Sequence, residues 1–166
     1  MNRLLLIIFV LTSSVGCDQS SKYLASEWLA NSSMITFLND SLRLTYAENH
    51  GGFLSLGGSL PEQYRFWIFV VIVSMVLISM FCYLLINRQL SPLHFYGVCL
   101  VLGGGLSNLI DRVTNQGAVV DFLNMGIGSL RTGIFNMADV FILLGVVLFI
   151  TARIKSRNMA QQSVRT

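Results

Sequence analysis

The chain has 166 residues, 54% of them apolar and only 11% charged, with a formal net charge of +3. One domain, residues 1–166, is expected at this length, and the charged share lies well below the roughly 25% of ordinary soluble domains. That composition argues for a polytopic membrane protein, and the small positive balance, without a basic stripe or interleaved aromatics, excludes a nucleic-acid binder.

Leu4 to Gly16 form a short apolar run behind Arg3. It has the look of a signal peptide, and Ser14-Val15-Gly16-Cys17 resembles a lipoprotein cleavage box. Ser14 stands where such boxes carry a large aliphatic residue, and the chain beyond Cys17 still has the character of a membrane protein. The run is therefore read as a first span over about 4–20, somewhat short for a ~30 Å hydrocarbon core. It delivers Asp18-Gln19-Ser20-Ser21-Lys22 to the far boundary. Asp18 and Lys22 are spaced i, i+4 and can pair on one helical face. A solvated helix end and a polar brace for a nearby site are equally open readings.

Residues 24 to 65 are mixed and polar. Ile35 to Leu38 and Leu42 to Tyr46 alternate partially around Asn39-Asp40-Ser41, which predicts a small antiparallel sheet outside the membrane at about 32–60. The loop Glu48-Asn49-His50-Gly51-Gly52-Phe53-Leu54 comes next, and Gly51 and Gly52 allow close backbone approach. It is a plain hairpin turn or a substrate-facing loop in which Asn49 acts as a hydrogen-bonding clamp.

Phe66 to Ile86 gives the second span, uncharged throughout, and His94 to Ile110 the third. Gly103-Gly104-Gly105 in the third span is read as a close helix-packing surface. Asn108, Asp111 and Arg112 share one face at its end, with a local Asp111–Arg112 ion pair conceivable. The fourth span covers about 138–152, before a basic tail. The expected architecture is a mainly α membrane protein: four transmembrane helices, a small extracytoplasmic β-sheet and a periplasmic loop.

Cys17, Cys82 and Cys99 lie in or beside apolar stretches with no Cys/His metal spacing, so they are expected as small buried hydrophobes. His50 and His94 are too far apart in sequence to suggest a His-rich metal site. Charge sets the expected orientation. Four spans put both termini on one side, with Arg3, Arg88, Arg153, Lys155, Arg157 and Arg165 and no acid, while all eight carboxylates fall on the other. The positive-inside rule makes the termini cytoplasmic and puts carboxylate chemistry at the outer face.

The candidates for that chemistry are Asp121 and Asp139, which bracket the stretch Gly117 to Asp139. On a straight helix they would stand roughly 27 Å apart; Gly126, Gly128 and Gly133 allow the chain to turn back. The third span then delivers Asp121 and the fourth starts at Asp139. Two neighbouring carboxylates share a proton, giving one base and one acid. That suits peptide hydrolysis by an activated water. No GxSxG, HExxH or partnered cysteine competes. The plainer alternative makes Asp139 a helix cap and Asp121 a solvated loop residue.

With these residues in view, the chain resembles the bacterial lipoprotein signal peptidase (signal peptidase II) family over nearly its full length. Asp18 to Lys22 resembles the family's DQxxK, and Asn49 to Phe53 its Asn-x-Gly loop. Gly103 to Arg112 resembles GGxxGNxxDR, Val119 to Phe122 VVDF, and Phe135 to Asp139 FNxAD. The resemblance implies an inner-membrane aspartyl endopeptidase that cuts prolipoproteins on the amino side of a diacylglyceryl-modified cysteine. It implies catalytic roles for Asp121 and Asp139, and binding or supporting roles for Asp18, Lys22, Asn49, Gly51, Asn108, Arg112 and Asn136. It also implies membrane-lipid contact and sensitivity to the cyclic peptide globomycin, with no metal or organic cofactor. Two departures stand out. Phe53 comes one place early in its loop, and Ser107 replaces a usual glycine, a change expected to be tolerated. Rival readings remain a small proton-conducting transporter, a lipoprotein precursor and a presenilin-type protease. The first predicts acids spread through the membrane depth, and the last a GxGD motif that the chain lacks.

Overall fold

The computed structural model describes residues 2–163; Arg165 of the basic tail lies outside them. Helix α1 (Arg3–Leu29) opens on Asn2, whose side-chain oxygen accepts the Leu4 N–H at 3.2 Å. Such a cap satisfies a donor orphaned at the helix start. The helix runs well past the expected boundary near residue 20. Its buried face explains why: Ile7, Ser14, Asp18, Lys22, Ala25 and Leu29 recur at helical spacing. The polar residues that looked like a helix end continue the inward stripe.

The second long helix comprises α2 (Glu62–Phe66), a π-helical turn at Trp67–Ile72 and α3 (Val73–Ile86). Helix α4 (Pro92–Thr114) begins with the Ser91 side chain capping the His94 N–H and Pro92 in the first turn, where a missing N–H costs nothing. Helix α5 covers Met137–Ser163. The segments Arg3–Leu29, Glu62–Ile86, Pro92–Thr114 and Met137–Met159 are long and apolar enough to cross a membrane, against a requirement of about 20 residues.

Helix α4 is central and packs against α1, α3 and, most extensively, α5. In lipid there is no hydrophobic drive between helices, so close backbone packing supplies the attraction. A Cβ on Gly97 would meet the Gly145 oxygen at 2.8 Å, and one on Gly145 would meet the Gly97 oxygen at 2.6 Å. Further along, a Cβ on Gly104 would overlap the Ala138 oxygen in the first turn of α5. Gly104→Ala is therefore expected to lower the melting temperature by several degrees, since overpacking costs ~1–3 kcal/mol. Gly16→Ala, where a Cβ meets nothing within 4 Å, is the matched control. Equal melting temperatures for the two variants would discard the packing account.

Where α1 and α4 end and α2 and α5 begin, a four-stranded antiparallel sheet gathers in the order β1 (Ile35–Phe37), β2 (Leu42–Asn49), β3 (Val119–Ile127), β4 (Leu130–Arg131). This corrects two expectations. The sheet is not confined to about 32–60, because β3 and β4 come from the stretch read as a connector. Nor does the third span deliver Asp121: α4 stops at Thr114 and Asp121 lies on β3, opposite Ala47 of β2. Gln116 and Gly117 take φ of 52° and 87°, which ends the helix and reverses the chain. Val119 and Val120 are β-branched and fit a strand better than a helix. A third correction concerns the cysteines: Cys99 is buried, but Cys17 and Cys82 are exposed on helix surfaces.

Candidate active site

Asp121 is brought to the end of the helices by β3 and is 2% exposed. Its Oδ1 accepts from Asn136 Nδ2 at 2.7 Å and its Oδ2 from Asn49 Nδ2 at 3.0 Å. It is not the solvated loop residue of the plainer reading. Asp139 sits in the first turn of α5. Its Oδ2 accepts the Asn136 backbone N–H at 3.2 Å, and the Asp139 N–H donates to Asn136 Oδ1 at 3.0 Å. This reciprocal pair is a capping box, so Asp139 does cap its helix. Its other oxygen, Oδ1, accepts from Asn108 Nδ2 at 3.1 Å.

Asn136 thus touches both carboxyl groups, one through its side-chain amide and one through its backbone N–H, and it is fully buried. Asp121 and Asp139 line a common cavity of about 400 Å³ with Asn49, Asn108, Arg112 and Asn136. Phe53, Leu54 and Ile142 supply part of its apolar wall. The chain reversal therefore unites the two acids selected by sequence, although one arrives on a strand.

The loop after β2 closes over this cavity. Asn49 Oδ1 accepts the Gly51 N–H at 2.9 Å while Asn49 Nδ2 also donates to the Gly52 oxygen at 3.1 Å. A Cβ on Gly51 would meet the Ser55 oxygen at 2.5 Å, so only glycine fits. Arg112 Nη2 donates to the Gly51 oxygen at 2.7 Å, and its guanidinium lies 5.2 Å from the centre of the Phe69 ring. Arg112 makes no ion pair with Asp111. Asp111 turns instead to Lys22, at 2.9 Å.

Lys22 and Asp18 are not a solvated helix end: both are buried and paired, at 2.7 Å. Lys22 Nζ also donates to Asn108 Oδ1 at 2.8 Å. The ammonium therefore meets three acceptors, on Asp18, Asp111 and Asn108, and the last of these reaches Asp139. Four residues in this surround were not singled out from the sequence as site residues: Gln19, Phe69, Ser107 and Asp111. Gln19 and Asp111 had a signal, since both fall inside the DQxxK-like and GGxxGNxxDR-like motifs. Phe69 had none, sitting in a uniformly apolar run.

Burial pushes the Asp121 carboxyl up to about 6; the hydrogen bond from Asn49 opposes this, the charge of Asp139 adds to it, and the bond from Asn136 opposes it again. A carboxyl in that range exchanges protons near neutrality, as a general acid or base must. Among the described residues, no three His, Cys, Asp or Glu side chains are grouped to hold a metal ion.

Four membrane-length helices, with one carboxyl from strand β3 and one from helix α5 lining a single cavity, make the framework of an integral-membrane peptidase. The family model described as "Signal peptidase (SPase) II" matches residues 8–155, and the chain belongs to the signal peptidase II family. It is 30% identical over 162 residues to a lipoprotein signal peptidase of Borrelia hermsii, covering 95% of this chain and 94% of that one. It is 36% identical over 139 residues to that of Caldicellulosiruptor bescii, covering 84% of each. A solved bacterial membrane enzyme structure superposes with a TM-score of 0.78 at 28% identity, covering 92% of this chain and 89% of the other.

Proposed function

We propose that this protein removes signal peptides from diacylglyceryl-modified prolipoproteins, with Asp121 and Asp139 activating the water that cleaves the bond before the modified cysteine. One observation carries the reading: both carboxyl groups face one cavity and are held by the same residue, Asn136. Two carboxyls in each other's field do not both ionise easily. The charged one takes a proton from water as the water oxygen bonds to the carbonyl carbon. The neutral one gives its proton to the carbonyl oxygen. Collapse of the diol breaks the C–N bond, and the departing nitrogen takes a proton back from the pair. No covalent intermediate is required.

An apolar cleft of about 720 Å³ bordered by α3, α4 and α5 shares Val146 with the acid-lined cavity. In this reading it takes the apolar segment of the signal peptide, leaving the cleavable bond at the aspartates. Exposed Ile78, Leu143 and Ile150 face membrane lipid. Arg3, Arg88 and Arg153 belong to the helix ends away from the sheet, which favours cytoplasmic termini and a site at the outer face of the bacterial inner membrane. Globomycin would occupy the acid-lined cavity and block cleavage.

The test is a gel-shift assay on purified protein in detergent. The lipidated precursor is expected to be cut and the unlipidated one left intact. Failure of the folded protein on the lipidated precursor would end the reading. The same assay reads pH. Asp121 is held up to about 6, so raising the pH through that region ionises it and takes from the pair the proton that its neutral member donates. Cleavage is expected to fall as pH climbs through about 6 and to be fuller just below it. A rate that stays flat through that region would detach Asp121 from the proton transfer.

A further inference from the structure

Each proposed catalytic aspartate is preceded by a residue whose backbone N–H is held by another, buried carboxylate. Asp18 Oδ1 accepts the Ala138 N–H at 2.7 Å, one residue before Asp139. Asp111 Oδ2 accepts the Val120 N–H at 3.1 Å, one residue before Asp121. Asp18 and Asp111 are 0% and 3% exposed. The position of each reacting carboxyl thus depends on a clamp made by a different helix, α1 or α4. The spacing of the pair depends on what ties those clamps together.

Lys22 is one tie. The second is uncharged and runs through Ser107, which is 0% exposed. Its Oγ donates to Asp18 Oδ2 at 2.7 Å and accepts from Gln19 Nε2 at 3.0 Å. The same Gln19 nitrogen donates to Asp111 Oδ1 at 2.6 Å. The path Asp18–Ser107–Gln19–Asp111 closes a ring with Lys22 between the two clamps. A lysine ammonium supplies charge but swivels on a flexible stem. A hydroxyl fixed on α4 adds direction, because its one hydrogen already goes to Asp18 and only its lone pairs remain for Gln19.

We infer that Ser107 is a positioning residue for the aspartate pair, orienting Asp18 so that the first turn of α5 presents Asp139 at its working distance from Asp121. The hydroxyl does not line the acid-lined cavity; it acts through Asp18 and the Ala138 N–H. The catalytic arm of this inference rests on the aspartyl peptidase function proposed for the chain.

The test compares Ser107→Ala and Ser107→Gly with the parent. Alanine keeps the Cβ and loses the hydroxyl; glycine loses both. If the hydroxyl matters, both variants lower kcat to a similar extent, roughly tenfold, with KM unchanged, as misorientation of a reacting group does. If Ser107 only fills space, alanine stays at the parent rate and glycine alone slows. Either that pattern, a change confined to KM, or a loss of kcat that tracks lost thermal stability overturns the inference. A second readout does not depend on turnover. Amide hydrogen exchange over residues 135–141 is expected to quicken in Ser107→Ala while residues 92–102 of α4 exchange as in the parent. Parent-like exchange at the start of α5 overturns the inference even if no substrate is cut. An inactive parent with quickened exchange in the variant fails the peptidase reading alone.

Discussion

Asp121→Asn and Asp139→Asn are each expected to reduce prolipoprotein cleavage by roughly 10⁴-fold, the scale on which removal of one member of a catalytic constellation is felt. An amide has nearly the shape of a carboxyl but cannot hold or pass the shared proton. The variant proteins should still fold, and for Asp121 two opposing effects decide this. Raising its carboxyl from 3.8 to about 6 makes the ionised form cost about 3 kcal/mol in the fold. Its folded value is the higher one, so its contribution to stability is full below 3.8 and is lost as pH rises through about 6. Asparagine removes that cost at neutral pH. Against this, Asp121 accepts at both oxygens, from Asn136 and Asn49. An amide nitrogen facing either donor forfeits about 1–3 kcal/mol. The two nearly balance, so the melting temperature of Asp121→Asn at neutral pH should stay close to the parent's. Single-turnover cleavage and thermal unfolding on the same preparations check both halves. Retained turnover in either variant removes that residue from the chemistry, and unfolding of both would leave their inactivity uninformative about proton transfer.

What could be read from the sequence was whatever depends on short spacing or on cost. Acids at the lip of apolar segments demand a reason, and that singled out Asp121 and Asp139 before any geometry. The i, i+4 spacing of Asp18 and Lys22 made their contact conceivable, and they do pair. What could not be read was pairing between distant segments. Strand β3 exists because β2 lies beside it, with Asn49 opposite Val119 and Ala47 opposite Asp121. Nothing local to residues 119–127 announces that partner, so the segment passed for a connector. Ser107 failed for a different reason. A small residue in a glycine-rich helix reads as packing, and its partners Asp18 and Gln19 lie on another helix. Arg112 was misread because adjacency suggested Asp111, whereas successive helical residues do not face each other. It reaches the Gly51 oxygen on the loop instead.

Lys22→Met is expected to be the most destabilising single change in the polar surround, by about 3–5 kcal/mol, the cost of stripping the partner from a buried ion pair. The side chain is 4% exposed, and its three ammonium donors find Asp18, Asp111 and Asn108 between 2.7 and 2.9 Å. Methionine fills a similar volume and supplies none of them, so two buried carboxylates are left facing each other without a counter-charge. Arginine should not rescue. Its planar fork cannot direct donors at three acceptors spread around one point. A double substitution separates charge from packing. Asp18→Asn with Lys22→Met removes one of the two stranded charges, and the new amide can donate to Ser107 Oγ, which now lies against Asp18. The double variant should therefore melt above Lys22→Met alone, a coupling that residues in contact can express and distant ones do not. If the double variant is no more stable than the single one, repulsion between the stranded carboxylates is not what Lys22 prevents. Its contribution would then lie in the hydrogen bond to Asn108, the one partner that connects it to Asp139.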